Sequence, residues 1–215
     1  MPECDAPEST DLHWLPARQD LAEYASILTT VGLERGLIGP RETSRIWSRH
    51  LLNCAVVALD PANLVPDGSR VIDIGSGAGL PGVVWALVRP DLHITLVESK
   101  SRRCEFLIEL VDALGLTERV TVRRARAEDL ARQLRADVVT ARAVASLDRL
   151  IDWAAPLMTG SGRLVALKGE GAQTELCSAG SRLASRGLVG RVVVVGDQWL
   201  PEPTRVVLVS REGNN

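Results

Sequence analysis

An apolar strand that runs straight into a glycine-rich turn leaves a chain few folds to choose from. Here Val71-Ile72-Asp73-Ile74 is followed by Gly75-Ser76-Gly77-Ala78-Gly79-Leu80-Pro81-Gly82, and a helical pattern begins at about Pro81. Glycine accepts the positive φ that a sharp turn needs and has no side chain to keep a ligand from the backbone N–H groups. The unit is a strand–turn–helix whose amides are open to a small molecule. From Arg70 onward the chain keeps alternating. Short β-branched runs at 70–74, 94–97, 120–122, 137–140 and 163–167 are separated by helix-like stretches at 81–88, 102–114, 128–134 and 147–157. Such regularity predicts an α/β domain with a mostly parallel sheet covered by helices on both faces. A helix near 174–185 then precedes two closely spaced runs at 192–195 and 204–209, which predict a hairpin and one antiparallel edge strand in a seven-stranded sheet.

Two helical stretches, at 16–33 and 42–59, come before the glycine turn, and a Pro/Gly-containing loop follows them at 61–68. The expected partition is a flexible acidic N-terminus (1–15), a helical addition (16–66) and the α/β domain (67–215). The acidic reading rests on Glu3, Asp5, Glu8 and Asp11, with no base before residue 12. A chain of 215 residues, 46% hydrophobic and 24% charged, suits one globular domain with a small addition. No apolar run approaches the roughly 18 residues of a membrane span. No signal-peptide pattern opens the chain, so a cytoplasmic protein is expected. Cys4, Cys54, Cys104 and Cys177 have no metal-ligand spacing and read as free, mostly buried thiols, with neither zinc nor disulfide. The net charge of −2 argues against a strongly basic nucleic-acid binder, yet arginines cluster locally, at 41–49, 102–103 and 119–126.

Gly77 to Gly82 also satisfies G-x-G-x-x-G, the dinucleotide fingerprint, so neighbouring residues must decide the ligand. Asp73 ends the strand just before Gly75. A carboxylate there would repel a pyrophosphate but would favour the cationic sulfonium and ammonium of S-adenosylmethionine. Gly75, Gly77 and Gly79 would line that site. Glu98, after the second strand, can accept ribose hydroxyls of either donor, so it supports a nucleoside without choosing between them. Ala127 and Glu128 follow the third strand, where an adenine edge would lie, although acids at a helix start are also ordinary capping residues. Arg142 follows the fourth strand at the same edge of the sheet.

The motifs Asp-Ile-Gly-Ser-Gly-Ala-Gly-Leu-Pro-Gly at 73–82, Thr-Ala-Arg-Ala-Val-Ala-Ser-Leu at 140–147 and Ala-Leu-Lys-Gly at 166–169 resemble the guanine-N7 methyltransferases of 16S ribosomal RNA, also called glucose-inhibited division protein B. Arg49-His50-Leu51-Leu52-Asn53 fits the family's Arg-His segment. The resemblance spans roughly 41–169. It implies a Rossmann-like class I methyltransferase fold with an N-terminal helical addition, and a target guanosine in the 530 loop of the small-subunit RNA. Carried over by position, Gly75, Leu80, Ala127, Glu128 and Arg142 would contact the methyl donor. This chain departs from the family at Gly36-Leu37-Ile38, where Asn-Leu-Thr is frequent, and at Asn53, usually Asp.

Guanine N7 has a lone pair and no proton, so its methylation needs alignment rather than a general base. Arg142 is the candidate catalytic residue, bordering the donor and orienting the guanine. Arg49 and His50 are candidate RNA contacts on the strength of the resemblance. Lys168, at the end of the fifth strand, reads equally as an RNA-phosphate contact or a solvated strand end. Trp47, Trp85, Trp153 and Trp199 read as core or edge residues. The expected partner is 16S RNA or the small ribosomal subunit, bound by a monomer without metal. A small-molecule or protein methyltransferase, or a dinucleotide-binding protein, would share much of this pattern.

Overall fold

A computed structural model of the chain describes Asp5 and residues 12–213. Seven strands, β1 (Arg70–Ile74), β2 (His93–Glu98), β3 (Val120–Arg124), β4 (Ala136–Arg142), β5 (Met158–Lys168), β6 (Leu188–Val195) and β7 (Thr204–Arg211), form one sheet in the order β3-β2-β1-β4-β5-β7-β6. The pairs from β3 through β5 are parallel, and β6 reaches the sheet only through its antiparallel pairing with β7. The strand reversed against the rest is β7, slotted between β5 and the edge. Strand order turns back between β1 and β4, and in open α/β sheets ligands bind outside the carboxyl ends of the strands at that switch point.

Period-two alternation splits the core in two. Val71 and Val138 pack with the helices that precede β1 and with α3 (Gly82–Val88) and α4 (Ser101–Ala113). Ile72, Ile74, Val139 and Ala141 pack on the other face with α5 (Leu147–Ala154), α6 (Ala172–Ser178) and α7 (Gly180–Ser185). Every residue of α3 is buried, as are six of the eight in α2 (Leu52–Leu59). A helix apolar all round has to be enclosed, and α3 is: the sheet lies beneath it and the N-terminal helices above. The indole Nε1–H of Trp85 on α3 donates to the Cys54 carbonyl on α2 at 2.9 Å.

The expected helices at 16–33 and 42–59 are present but uneven. The first is α1 (Arg18–Ile27) running into a wide π-type turn, Leu28–Gly32, where Thr29 and Thr30 hydroxyls bond back to the carbonyls of Ala25 and Ser26. Such back-bonding competes with the helical ladder. The second opens with a 3₁₀ turn, Thr43–Arg45, and a π-type turn, Ile46–Leu51, before α2. The helix expected at 128–134 shrinks to a 3₁₀ turn, Ala127–Leu130. Asp5, part of the acidic segment expected to be flexible, is docked: its carboxylate accepts the amides of Trp47 and Ser48 at 2.9 and 3.0 Å. The segment's remaining acids, Glu3, Glu8 and Asp11, lie outside the described residues. Cys54 and Cys104 are buried free thiols, whereas Cys177 is exposed.

Candidate methyl-donor and RNA site

The glycine turn hangs on β2 as well as β1, because the amides of Gly75 and Ser76 both donate to the Val97 carbonyl, at 2.8 and 3.2 Å. Gly75, Gly77 and Gly79 all have positive φ. A Cβ on Gly75 would lie 2.8 Å from Val144 Cγ2, and one on Gly79 would lie 2.7 Å from Val83 Cγ2 and 2.8 Å from the Tyr24 hydroxyl. That hydroxyl, on α1, donates to the Ala78 carbonyl at 2.8 Å. The turn is thus gripped by the helical addition from one side and by the loop after β4 from the other.

Beneath the turn, Asp73 is wholly buried. Its Oδ2 accepts the Gly82 amide at 3.1 Å, an approach open only to glycine, since a Cβ there would sit 2.8 Å from that oxygen. Oδ1 has no partner. Burial pushes the carboxyl up to about 7, against the Gly82 amide bond and the nearby Ser76 hydroxyl (itself bonded to the Asp73 main-chain carbonyl), which favour the charged form. A buried acid with an unmet oxygen is the environment that a nearby cation relieves. Because the folded state holds this proton more tightly than the unfolded chain, the associated stability is complete below the unfolded value of 3.8 and is lost as pH rises through about 7. The ionised carboxylate then costs up to about 4 kcal/mol at pH 8, because each tenfold difference in proton affinity is worth roughly 1.4 kcal/mol. Asp73→Asn should therefore melt several degrees above the wild type at pH 8, with the gap closing toward pH 4, while its affinity for a cationic donor falls. Equal melting temperatures at pH 8, followed by circular dichroism, would contradict this account of Asp73.

A cavity of about 260 Å³ opens at the carboxyl ends of β1 to β3, walled by Gly75, Glu98, Ala127 and Glu128 among the expected residues, and by Val144 and Trp153 besides. Glu98 is only 4% exposed. One oxygen accepts the amides of Ser99 and Lys100 at 2.7 and 2.9 Å, and the other accepts the Gly77 amide at 3.2 Å. The Ser99 hydroxyl at 3.5 Å and the Arg103 guanidinium at 3.7 Å also approach the carboxylate, so a ribose hydroxyl there would compete with these weaker partners. Trp153, which the sequence places in the core or at an edge, is half-buried on α5 and walls the cavity. The other tryptophans are buried at Trp47 and Trp85, and Trp199 stacks on Trp14 at 4.7 Å. A hollow of about 330 Å³ near Arg70, His93 and Arg135 lies at the amino ends of the strands, away from the switch point.

Asp73, Gly77, Gly79, Leu80 and Arg142 do not line the 260 Å³ cavity. Leu80 packs half-buried on the core beside the turn. Arg142 shares a face of β4 with Val138 and Thr140, so it points toward the helical addition. There it meets both candidate RNA contacts. Its Nη2 donates to the Arg49 carbonyl at 3.1 Å and to His50 Nδ1 at 2.5 Å, and its Nη1 reaches Cys54 Sγ at 3.4 Å. His50 Nε2 lies 2.7 Å from Glu42 Oε2. Burial and the Arg142 charge hold the imidazole below its ordinary range. Among the described residues no carboxylate forms an ion pair with Arg142. Ala143, the next residue, adopts φ +55°, a conformation that costs a non-glycine residue of order 1–3 kcal/mol and clusters at functional sites.

Lys168 is on the opposite face from this group. Its ammonium donates to the Ala145 carbonyl at 2.8 Å and to Glu175 Oε2 at 2.7 Å, and the same carboxylate oxygen accepts the Leu147 amide at 2.9 Å. The Lys168 side chain is 11% exposed, and its two bonds pin the loop that carries Val144 over Gly75.

A doubly wound sheet, a glycine turn over a buried carboxylate at its switch point, and a nucleoside-sized cavity beside an acid after β2 define the Rossmann-like class I methyltransferases. The solved precorrin-6y C5,15-methyltransferase of Geobacter metallireducens GS-15 shares this fold, with a TM-score of 0.54 and 19% identity over 72% of this chain and 86% of that one. The GidB family, described as rRNA small subunit methyltransferase G, matches residues 17–198. Curated proteins named ribosomal RNA small subunit methyltransferase G are 52% identical to this chain in Thermobifida fusca, over 91% of this chain and 80% of that protein, and 52% identical in Mycobacterium sp. (strain JLS), over 87% and 83%. The chain belongs to the GidB family of small-subunit ribosomal RNA methyltransferases.

Proposed function

We propose that this protein methylates N7 of a guanine in the 530 loop of 16S ribosomal RNA, acting in the cytoplasm as a monomer on the RNA or the small subunit. S-adenosylmethionine, when bound, supplies an electrophilic methyl group on a sulfonium. The observation that carries the donor half is the unpartnered, buried Oδ1 of Asp73 beneath a turn whose glycines leave no room for a Cβ. A pyrophosphate would add charge of the same sign there; a cationic donor removes the penalty. For the acceptor, the relatives' shared name supports small-subunit ribosomal RNA, while guanine N7 and the 530 loop rest on the motif resemblance at 73–82, 140–147 and 166–169.

In this reading Asp73 and the turn at Gly75, Gly77, Gly79 and Leu80 hold the amino-acid end of the donor. Glu98 accepts from its ribose, and Ala127 and Glu128 meet its base, with Trp153 closing the cavity. Arg142, without a carboxylate partner, keeps its charge for the site and orients the guanine. Arg49 and His50 bring the helical addition to the RNA, while Lys168 acts indirectly by fixing the loop after β4. No residue is needed as a base, since guanine N7 loses no proton. Phosphate contacts by exposed arginines would make RNA binding weaken as salt rises. The deciding experiment maps N7-methylguanosine in 16S RNA from cells with and without the gene. Its loss from the 530 loop is expected, and unchanged modification there would defeat the assignment of substrate.

A further inference from the structure

We infer that Glu42 is a positioning residue for methyl transfer: through His50 it fixes the acceptor that holds the Arg142 guanidinium in place. The inference rests on the reading of Arg142 given above. A guanidinium has only donors, so the ring nitrogen 2.5 Å from Arg142 Nη2, His50 Nδ1, must present its lone pair. In a neutral imidazole the proton is then on Nε2, where Glu42 Oε2 receives it at 2.7 Å. Remove Glu42 and the ring is free to carry its proton on Nδ1 instead, which turns a donor toward a donor. Protonating the ring does the same and adds a second positive charge. The Arg142–His50 contact exists only with a neutral, Nε2–H histidine, and Glu42 is what selects that tautomer.

The surroundings fit this division of labour. The charged groups facing His50 are Arg142 from β4, Arg49 from its own turn and Glu42 from the segment before it, with the Cys54 thiol of α2 behind Arg142. Burial and Arg142 disfavour the charged ring, while Glu42 opposes them. Glu42 is itself held below the usual carboxylate range by its bond to His50, so it stays an acceptor throughout the working pH range. Arg49 lies 3.7 Å from the same Glu42 oxygen, too far and too exposed to replace the imidazole as its principal partner. The turn that carries Arg49 and His50 is of the wide π type, a distortion often found at functional sites, and its first amides are held by Asp5.

The chain has three histidines, His13, His50 and His93, so ¹⁵N imidazole spectra can be assigned by a single His50→Gln variant. Wild-type His50 should show the Nε2–H tautomer and titrate below an ordinary histidine. In Glu42→Gln, which keeps an acceptor but loses the charge, the titration should move lower still. The acid limb of turnover, measured at saturating S-adenosylmethionine, should move with it. Glu42→Ala should lower turnover about tenfold through the misplaced guanidinium. An Nδ1–H tautomer in the wild type, or an acid limb that stays fixed while the His50 titration shifts, would overturn the inference. Full activity in Arg142→Ala would instead sink the underlying reading of Arg142, so the two failures are separable.

Discussion

Gly79→Ala should lose about 100-fold in affinity for S-adenosylmethionine and melt roughly 10 °C below the wild type. Two costs combine. The first is conformational: Gly79 has φ +102°, and positive φ costs an L-residue about 1–2 kcal/mol. The second is steric, because the new Cβ would lie 2.8 Å from the Tyr24 hydroxyl and 2.7 Å from Val83 Cγ2. Tyr24 is fully buried and bonded to Ala78, so relief requires moving the turn itself. Gly115→Ala separates the two costs. Gly115 has φ +64° with open space around it, so it should lose only the conformational part, about 2–4 °C per kcal/mol for a chain of this size, with donor affinity intact. Calorimetric titration with the donor and thermal melts of both variants check the claim. If Gly79→Ala binds the donor like the wild type, the turn is not the donor's cradle.

Arg142→Ala should lower methyl transfer by about 10²- to 10³-fold, the loss typical of removing one preorganised polar group from a reacting centre. The fold should persist, because Arg142 is only partly buried and its partners are the Arg49 carbonyl, His50 and the Cys54 thiol, each of which loses a single hydrogen bond, together on the order of 1–3 kcal/mol. Arg142→Lys should fail almost as badly, since a single ammonium cannot span acceptors that a planar fork reaches together. Turnover assays on 30S subunits alongside circular dichroism distinguish lost chemistry from lost structure. An Arg142→Ala enzyme of wild-type activity would remove Arg142 from the reaction altogether.

Much of the fold is legible because the strands after Arg70 are short, β-branched and punctuated by turn residues, a pattern that local chemistry dictates. Asp73 stands out because a carboxylate at the end of an otherwise apolar strand has no packing role. Its full burial and unmet oxygen do not, since they depend on α3 closing over it. Strand phase places Arg142 with Val138 toward the helical addition, but putting Lys168 on the other face needs the register that sets Arg142 opposite Leu167. The helix expected at 128–134 is too long because acids and leucines there suit a single turn as well as a full helix. Tyr24, Glu42 and Trp153 carry no local sign of their roles. Each joins the site through contacts with residues distant in sequence or across a distorted helical turn, where periodicity says nothing about direction.

The hydroxyl of Tyr24 touches a carbonyl 54 residues further along the chain, inside the glycine turn. That one bond makes α1 and the turn partners in a single equilibrium. Whatever coupling that bond carries is reciprocal: a steadier turn favours an ordered α1, and a loosened α1 loosens the turn in return. The helical addition, which carries the proposed RNA contacts Arg49 and His50, is thereby tied to the turn proposed to hold the methyl donor. On the proposed reading, taking up the donor and setting the helical addition are linked events rather than independent ones.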